Sequence, residues 1–459
     1  MSITASPTLA ELQGRVRGRV VRPSDDDYDQ RRTVFYNVAR RPGAVVMAAD
    51  ADDVARTVRI AREAGTDLAV RSGGHSLVGH SSVDDGIVLD LSGLDEISID
   101  VEGRSAWVGA GVTAGAFTTR AAEHGLGVGF GDTGSVGIPG ITLGGGVGFL
   151  SRLHGLTIDS LLAVDVVTAD GELVRADADS HPDLFWALRG GGGNFGVVTR
   201  LRFRLHDISS AFGGMFVLPA TPEVVAGFVE VAHDAPEALS TIANVMTAPP
   251  APFVPPELVG ELILFSTIVH LGPHEAGEQA VAPFRALATP LLDQLGPMSY
   301  PSVYPPEEGD FHPSAAGHTL FRDDFSRDEA AFVVEHVRAG TAAMNAVQLR
   351  VLGGAVSRVP ADATAYAHRA HPLMLNVAAM AEDPAALEQH RSWLDAGDAA
   401  LHQDGVDGRY VNFLGSDTPE QVRAAYPGAT WDRLRAIKRR YDPDNVFRVN
   451  YNIPPADSD

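Results

Sequence analysis

The chain has 459 residues, 45% of them apolar, and its 36 basic against 59 acidic residues leave a formal charge of −23. That length calls for two domains, one carrying an insertion, and the acidity argues against nucleic acid or an anionic membrane as a partner, since both require a basic face. The absence of cysteine excludes disulfides, thiolate catalysis, iron–sulfur clusters and cysteine-based zinc sites.

The opening "MSITASPTLAELQGRVRGRVV" has no apolar core of signal-peptide length, and no later apolar run approaches a membrane span, so the expected address is the cytoplasm. "DADDVARTVRIAREAG" predicts a helix capped by Asp50 or Asp52, with Val54, Val58, Ile60 and Ala61 on its apolar face and Gly65 at its end. "DLAVRSGGH" predicts a short strand, Leu68 to Val70, that runs into a glycine loop. "GIVLDLSGLDEISID" reads as a buried strand followed by an alternating one, and "SAWVGAGV" as another strand. "TAGAFTTRAAEHG" predicts a helix with Gly125 as its C-cap. A second glycine cluster spans Gly129 to Asp159, and "LLAVDVVTADGELVRAD" predicts a hairpin turning at Asp170-Gly171. "HPDLFWALRGGGGNFGVVTRLRFRL" reads as a short helix, a third glycine loop and a strand. After Leu205 glycine thins out, and strands alternate with amphipathic helices and a Pro-rich stretch, "TAPPAPFVPPELVG", up to about Arg409. No internal repeat is present.

Three glycine-rich loops within about 130 residues suggest one extended anionic ligand cradled by backbone N–H groups, against the plainer reading of tight turns in a β-rich domain. There is no P-loop, and "GLGVGFG" opens no helix of a βαβ unit, so a Rossmann reading is weak. The first loop, "VRSGGHSLVGH", adds His75 and His80, and an imidazole there can be a base, a metal ligand or a nucleophile. A zinc pair lacks a third ligand nearby, so no metal is expected.

In order, "PGAVVMAADADDVARTVRIAREAGTDLAVRSGGHSLVGHSSVDDGIVLDLSGLDEISID", "VGIPGITLGGGVGFLSRLHGLTIDSLLAVDVVTADG" and "HPDLFWALRGGGGNFGVVT" resemble the FAD-binding domain of the vanillyl-alcohol-oxidase (PCMH-type) flavoproteins. "YVNFLGSDT" and "WDRLRAIKRRYDPDNVFRVNYNIPP" are similar to the berberine-bridge-enzyme-like branch, near its hydroxynicotine-oxidase-like bacterial members. The resemblance covers about Arg40 to Leu205 and Arg409 to Pro455, with "VLGGAVSRVPADATAYAHR" in between. It implies an α+β, two-domain PCMH-type fold: an FAD-binding domain at 1–206 of two α/β subdomains, a substrate domain at 207–413 with an antiparallel sheet flanked by helices, and a C-terminal segment at 414–459 that returns to the FAD domain.

The resemblance also implies roles. His75 matches the histidine bonded to the flavin 8α-methyl, and Arg71, Ser72, Gly73, Gly74, Ser76 and Gly79 complete its loop, with His80 as a hydrogen-bonding neighbour. Many relatives carry a second tether on a cysteine three residues before the Val136-Gly137 pair; Thr133 stands there, so a single covalent bond to FAD is expected. Val136 matches the residue that, as valine, goes with use of O₂ in plant relatives. Gly137, Gly140, Gly144, Gly145, Gly146 and Gly148 of the second loop and Gly196 and Val198 of the third line the cofactor in this reading, as do Asn412, Asn450 and Asn452. Tyr451 replaces a glutamine common elsewhere in the branch.

Tyr410, in "RYVNF", matches the tyrosine over the flavin and is the expected base, with Arg350 a source of positive charge to favour its phenolate. Gln348, Arg350 and Leu352 share one face of a strand, and Tyr366 and His368 are further candidates for the pocket. The hydroxynicotine-oxidase branch carries Lys and Glu at the positions aligned with Gln348 and Arg350; this departure speaks against 6-hydroxynicotine and leaves a neutral or anionic substrate open. The expected activity is oxidation of a small alcohol, amine or sugar by hydride transfer to FAD, with O₂ as acceptor. A dehydrogenase using another acceptor and a non-catalytic flavin-retaining binder are the alternatives.

Overall fold

The computed structural model describes residues 7–250, 254, 256–304 and 312–457; residues 251–253 and 255 of the Pro-rich stretch lie outside it. The first sheet runs Arg19–Val21, Ala44–Met47, Ile87–Asp90, Leu68–Arg71 in spatial order. Its last three strands are parallel, and the helix Ala51–Ala64 makes the crossover between Ala44–Met47 and Leu68–Arg71. That helix begins where the Asp50 side chain accepts the Asp53 N–H and ends at Gly65 in the left-handed region, φ +61°. Its predicted apolar face is buried.

A second sheet is antiparallel throughout, in the order Ile97–Asp100, Ser105–Gly109, Val197–Arg204, Leu161–Val167, Leu173–Asp177. The hairpin at 161–177 turns as predicted, with Gly171 at φ +77°. The helix Ala114–Ala122 ends sooner than the sequence suggests. Its cap is Glu123, and Gly125, at φ +68°, follows as the turn that returns its N–H to the Ala122 carbonyl.

Residues 211–381 build an antiparallel sheet in the order Leu292–Asp293, Ala211–Pro219, Leu262–Leu271, Leu239–Thr247, Met344–Val351, Leu373–Ala381, Ser314–Arg322, with Gly296–Met298 paired to Ala211–Pro219. Strand alternation divides its side chains. Val347, Leu349, Val351, Leu375 and Val377 lie in one core with the helices Pro222–Asp234, Arg327–Ala339 and Arg391–Leu401. Gln348, Arg350, Asn376 and Ala378 therefore point to the opposite face, toward the glycine loops. Among the described residues no helix is long and apolar enough to cross a membrane.

The C-terminal helix Ala429–Tyr441 packs Trp431, Leu434 and Ile437 into the core of the second sheet. Lys438, on the same helix, is fully buried with Asp442. Its ammonium donates to Asp442 Oδ2 at 2.6 Å, to the Asn194 carbonyl at 2.8 Å and to the Phe447 carbonyl at 2.9 Å. Burial lowers the Lys438 pKa, and Asp442 opposes that shift. Asp442 in turn accepts the Val446 and Phe447 N–H groups. This knot ties the third glycine loop to the segment that carries Asn450 and Tyr451.

Removing one partner of a buried pair leaves a charge uncompensated, so Asp442→Asn is expected to cost about 3–5 kcal/mol. Urea unfolding followed by tryptophan fluorescence measures it; a loss under about 1 kcal/mol would mean that the carbonyls alone hold Lys438.

Candidate active site

The three glycine loops converge on one cavity of about 450 Å³. Ser72, Gly73, Gly74, His75, Ser76 and His80 of the first loop line it. The second loop contributes Thr133, Val136, Gly137 and Gly140, and the third Gly196 and Val198. The sheet of residues 211–381 supplies Gln348 and Arg350, and Tyr410, Asn412 and Asn450 complete the predicted set on the wall.

Close backbone approach explains why the first two loops are glycine-rich. A Cβ on Gly73 would sit 2.2 Å from the Gly137 nitrogen, and one on Gly137 would sit 2.1 Å from Ser72 Oγ. His75 is held by Ser135, whose Oγ lies 2.8 Å from Nε2, and by the Phe35 ring stacked at 4.1 Å. His80 is largely buried, which lowers its pKa; its Nε2 lies 3.4 Å from Asp417 and its ring meets the Tyr451 ring edge-on.

Other predicted positions lie behind the wall. The Arg71 guanidinium turns away from the cavity to bind Asp90 at 2.6 Å and the Arg31 carbonyl at 2.5 Å, where it anchors the loop's base. Gly79 gives room to Val38, which a Cβ would meet at 2.7 Å. Gly144, Gly145, Gly146 and Gly148 make room for Asn412, the Tyr366 ring, Thr157 and the Phe130 carbonyl respectively, and a Cβ would come within 2.9 Å of each. These glycines position the site's supports rather than its surface. Asn452 also lies off the wall, with a buried, unpartnered Oδ1 among the described residues. Leu352 follows its strand and packs with Val147, Tyr366 and Tyr410. Tyr366 and His368 are buried beside the cavity, not in it: Tyr366 packs edge-on against Tyr410, and His368 donates Nε2–H to the Ala425 carbonyl.

Tyr410 is 2% exposed and forms the N-cap of the short 3₁₀ turn Val411–Phe413 rather than sitting in a strand. Its oxygen accepts the Gly146 N–H at 3.0 Å and the Asn412 Nδ2–H at 2.9 Å. Asn412 is itself fixed by donating to the Ile141 carbonyl at 3.0 Å. With two donors on the oxygen, the hydroxyl hydrogen is left to point elsewhere. Burial raises the Tyr410 pKa; the two donors and the Arg350 charge oppose that shift without overcoming it.

Arg350 does not stand as an isolated cation. Its guanidinium donates to Asp132 Oδ2 at 2.6 Å, to the Val147 carbonyl at 3.0 Å and to Gln348 Oε1 at 2.7 Å, while Gln348 donates to Asn244 at 3.1 Å. The carboxylate balances the charge that the sequence left open for an anionic substrate. Asp132 is the functional neighbour that sequence reasoning missed, although a lone carboxylate inside the glycine loop "GDTG" was its signal. Asn376 was missed too; it lines the cavity beside Gln348, and its Oδ1 is buried without a partner among the described residues. A polar residue on the alternate face of the apolar strand "LMLNVAAMA" was the sign. Tyr36 also lines the cavity, its pKa pushed up to about 12 by burial and by Asp132.

These residues fit the flavin that the resemblance implies. Gly140 and Gly193, both on the cavity wall, have nothing within 4 Å of where a Cβ would stand, so the space beside their backbone is open to a ligand. Asn450, on the wall, carries a buried Oδ1 with no partner among the described residues, an acceptor suited to a ring N–H. Among the described residues no cluster of His, Asp or Glu could hold a metal ion.

Comparison with known proteins agrees with that fit. Residues 42–177 match the FAD binding domain family, and residues 409–454 match the berberine and berberine-like family. The chain is 31% identical over 473 residues to (R)-6-hydroxynicotine oxidase of Paenarthrobacter nicotinovorans, covering 96% of this chain and 98% of that protein. It is 32% identical over 466 residues to the uncharacterized FAD-linked oxidoreductase YvdP of Bacillus subtilis (strain 168), covering 96% and 99%. The crystal structure of 6-hydroxy-D-nicotine oxidase from Arthrobacter nicotinovorans superposes with a TM-score of 0.85 at 28% identity, over 98% of this chain and all of that one.

Burial also sets an acid limit. It lowers the His368 pKa to about 4 from the ordinary 6.5, so the folded state binds this proton less readily than the unfolded chain. The associated stability is fully present above pH 6.5 and is lost as pH falls toward 4, by roughly 3 kcal/mol. In urea titrations at pH 7.5, 5.5 and 4.5, His368→Gln is expected to lose less stability than wild type over that interval; parallel losses would assign the acid limit to other groups.

Proposed function

The chain belongs to the FAD-linked oxidoreductases with a berberine-like C-terminal segment, and on that premise we propose that it oxidises a small organic alcohol, amine or sugar by hydride transfer to FAD tethered to His75, with O₂ taking the electrons to give H₂O₂. One observation carries this reading: a single cavity gathers His75, the backbone of all three glycine loops and the Tyr410 side chain. FAD, when bound, supplies a two-electron acceptor that the side chains themselves lack. The residues that would hold it are Gly73, Gly74, His75, Gly137, Gly140 and Asn450, all on the cavity wall, with Asn450 Oδ1 offering an acceptor.

Tyr410 is the base in this reading. The Gly146 and Asn412 donors stabilise negative charge on its oxygen, and both are preset by other contacts. Because burial holds its pKa high, the phenolate fraction grows with pH, and proton removal from a substrate hydroxyl is expected to quicken on the alkaline side. Arg350 and Gln348 orient the substrate rather than take its proton. The Asp132–Arg350 pair leaves that end of the cavity without excess charge, which supports a neutral substrate over a carboxylate. Val136 on the cavity wall supports access for O₂.

Anaerobic flavin bleaching against a panel of alcohols, amines and sugars tests the reading, and absence of bleaching by any of them would favour the non-catalytic binder. With the substrate that bleaches, Tyr410→Phe is expected to slow reduction about 10²–10⁴-fold and to flatten the alkaline rise. An unchanged rate would make Tyr410 a packing residue. Stopped-flow reoxidation of the photoreduced protein in air-saturated buffer tests the acceptor. Wild type is expected to reoxidise quickly and Val136→Leu more slowly, since packed walls leave few voids larger than a water molecule. Slow reoxidation of wild type would instead assign a dehydrogenase.

A further inference from the structure

His75 follows two glycines, Gly73 and Gly74, the latter at φ +75°. Its ring is held from two other segments. The Phe35 ring stacks on it at 4.1 Å with the planes 23° apart, and the Phe35 N–H is anchored on the Gly74 carbonyl at 3.2 Å. On its edge, Ser135 Oγ meets Nε2 at 2.8 Å.

Ser135 is itself a fixed point. On one flank the Gly134 carbonyl accepts the Gly115 N–H at 2.8 Å; on the other the Val136 carbonyl accepts the Ala114 N–H at 2.9 Å. Just beyond, the Ile138 N–H bonds the Val112 carbonyl at 3.0 Å. Both neighbours of Ser135 are thus pinned to the start of the helix Ala114–Ala122, and the hydroxyl is presented to the imidazole from rigid backbone.

We propose that Ser135 is the positioning residue for covalent attachment of the cofactor, aiming the His75 imidazole while Phe35 sets its plane. This rests on the reading that His75 carries the tether. Attachment forms a bond from a ring nitrogen to the 8α-methyl carbon and breaks that nitrogen's N–H and one methyl C–H. Two protons and two electrons leave, and O₂ takes them up as H₂O₂, with FAD relaying the electrons. A bond of this kind needs one nitrogen held toward one carbon, and orientation of this sort has large kinetic leverage. A hydroxyl suits the task because it both donates and accepts, so it follows the imidazole through either tautomer.

The test uses full-length protein prepared without flavin, mixed with FAD in air. The readouts are the growth of acid-stable flavin on the polypeptide, followed by intact mass, and the initial non-covalent affinity, followed by quenching of FAD fluorescence. Ser135→Ala is expected to bind FAD as wild type does but to attach it at least about tenfold more slowly. Ser135→Thr, which keeps the hydroxyl, is expected to restore most of the rate, and His75→Ala to attach none. Attachment by Ser135→Ala at the wild-type rate overturns the proposal. So does a slow Ser135→Ala whose FAD affinity falls in parallel and which Ser135→Thr does not rescue, since that pattern means disturbed packing. Wild type that never retains flavin through acid overturns the tether itself, a result distinct from any difference among the variants.

Discussion

The site depends on two stretches of backbone touching with no side chain between them. Gly73 and Gly137 come so close that a Cβ on either would overlap the other loop. One loop leaves the parallel strand Leu68–Arg71; the other is pinned at Gly137 by a bridge to Thr113. Their contact fixes the loop that carries His75 beside the one that carries Ser135. Where the wall is bare glycine, as at Gly140 and Gly193, a ligand can approach the main chain closely.

Buried charges set how the sheet of residues 211–381 meets those loops. Arg350, 3% exposed, crosses from the sheet to Asp132 in the second loop. Arg369, 1% exposed, reaches Asp159 at 2.8 Å and Thr364 at 2.9 Å. Arg152, from the far end of the second glycine cluster, donates to the carbonyls of Leu352 and Ala235. Burying such groups carries a desolvation cost that their partners largely offset, so their main effect is to make misalignment costly. The sheet can sit over the loops in one way only if each cation is to find its oxygen. Gln348, Arg350 and Asn376 then present polar groups to the cavity that Tyr410 also lines.

Tyr410 shows the same economy in neutral groups. Gly144 is bare so that Asn412 can lie against it, and Gly146 is bare beside Thr157 while its N–H serves the phenol. Glycines that the sequence suggested for cofactor contact thus serve the tyrosine on the cavity wall. The C-terminal knot around Lys438 does the corresponding work for Asn450, by fixing the chain on either side of the third glycine loop.

Local order was legible in the sequence. Periodicity, caps and turn residues located the helix at 51–64, the hairpin at 161–177 and the strand that carries Gln348 and Arg350, because those signals act over a few residues. The ordered motifs led to the family, and with it to His75, Tyr410 and the glycine loops. What a residue touches across the fold was not legible. Nothing near Arg350 in the chain announces Asp132, 218 positions away, and nothing near Arg71 says that its charge is turned to Asp90 rather than to a phosphate. Asn376 reads as one polar residue in an apolar strand until the register sets it beside Gln348. Hydrogen bonds and ion pairs are short-ranged in space and indifferent to distance along the chain, so only the tertiary structure decides which partners close them.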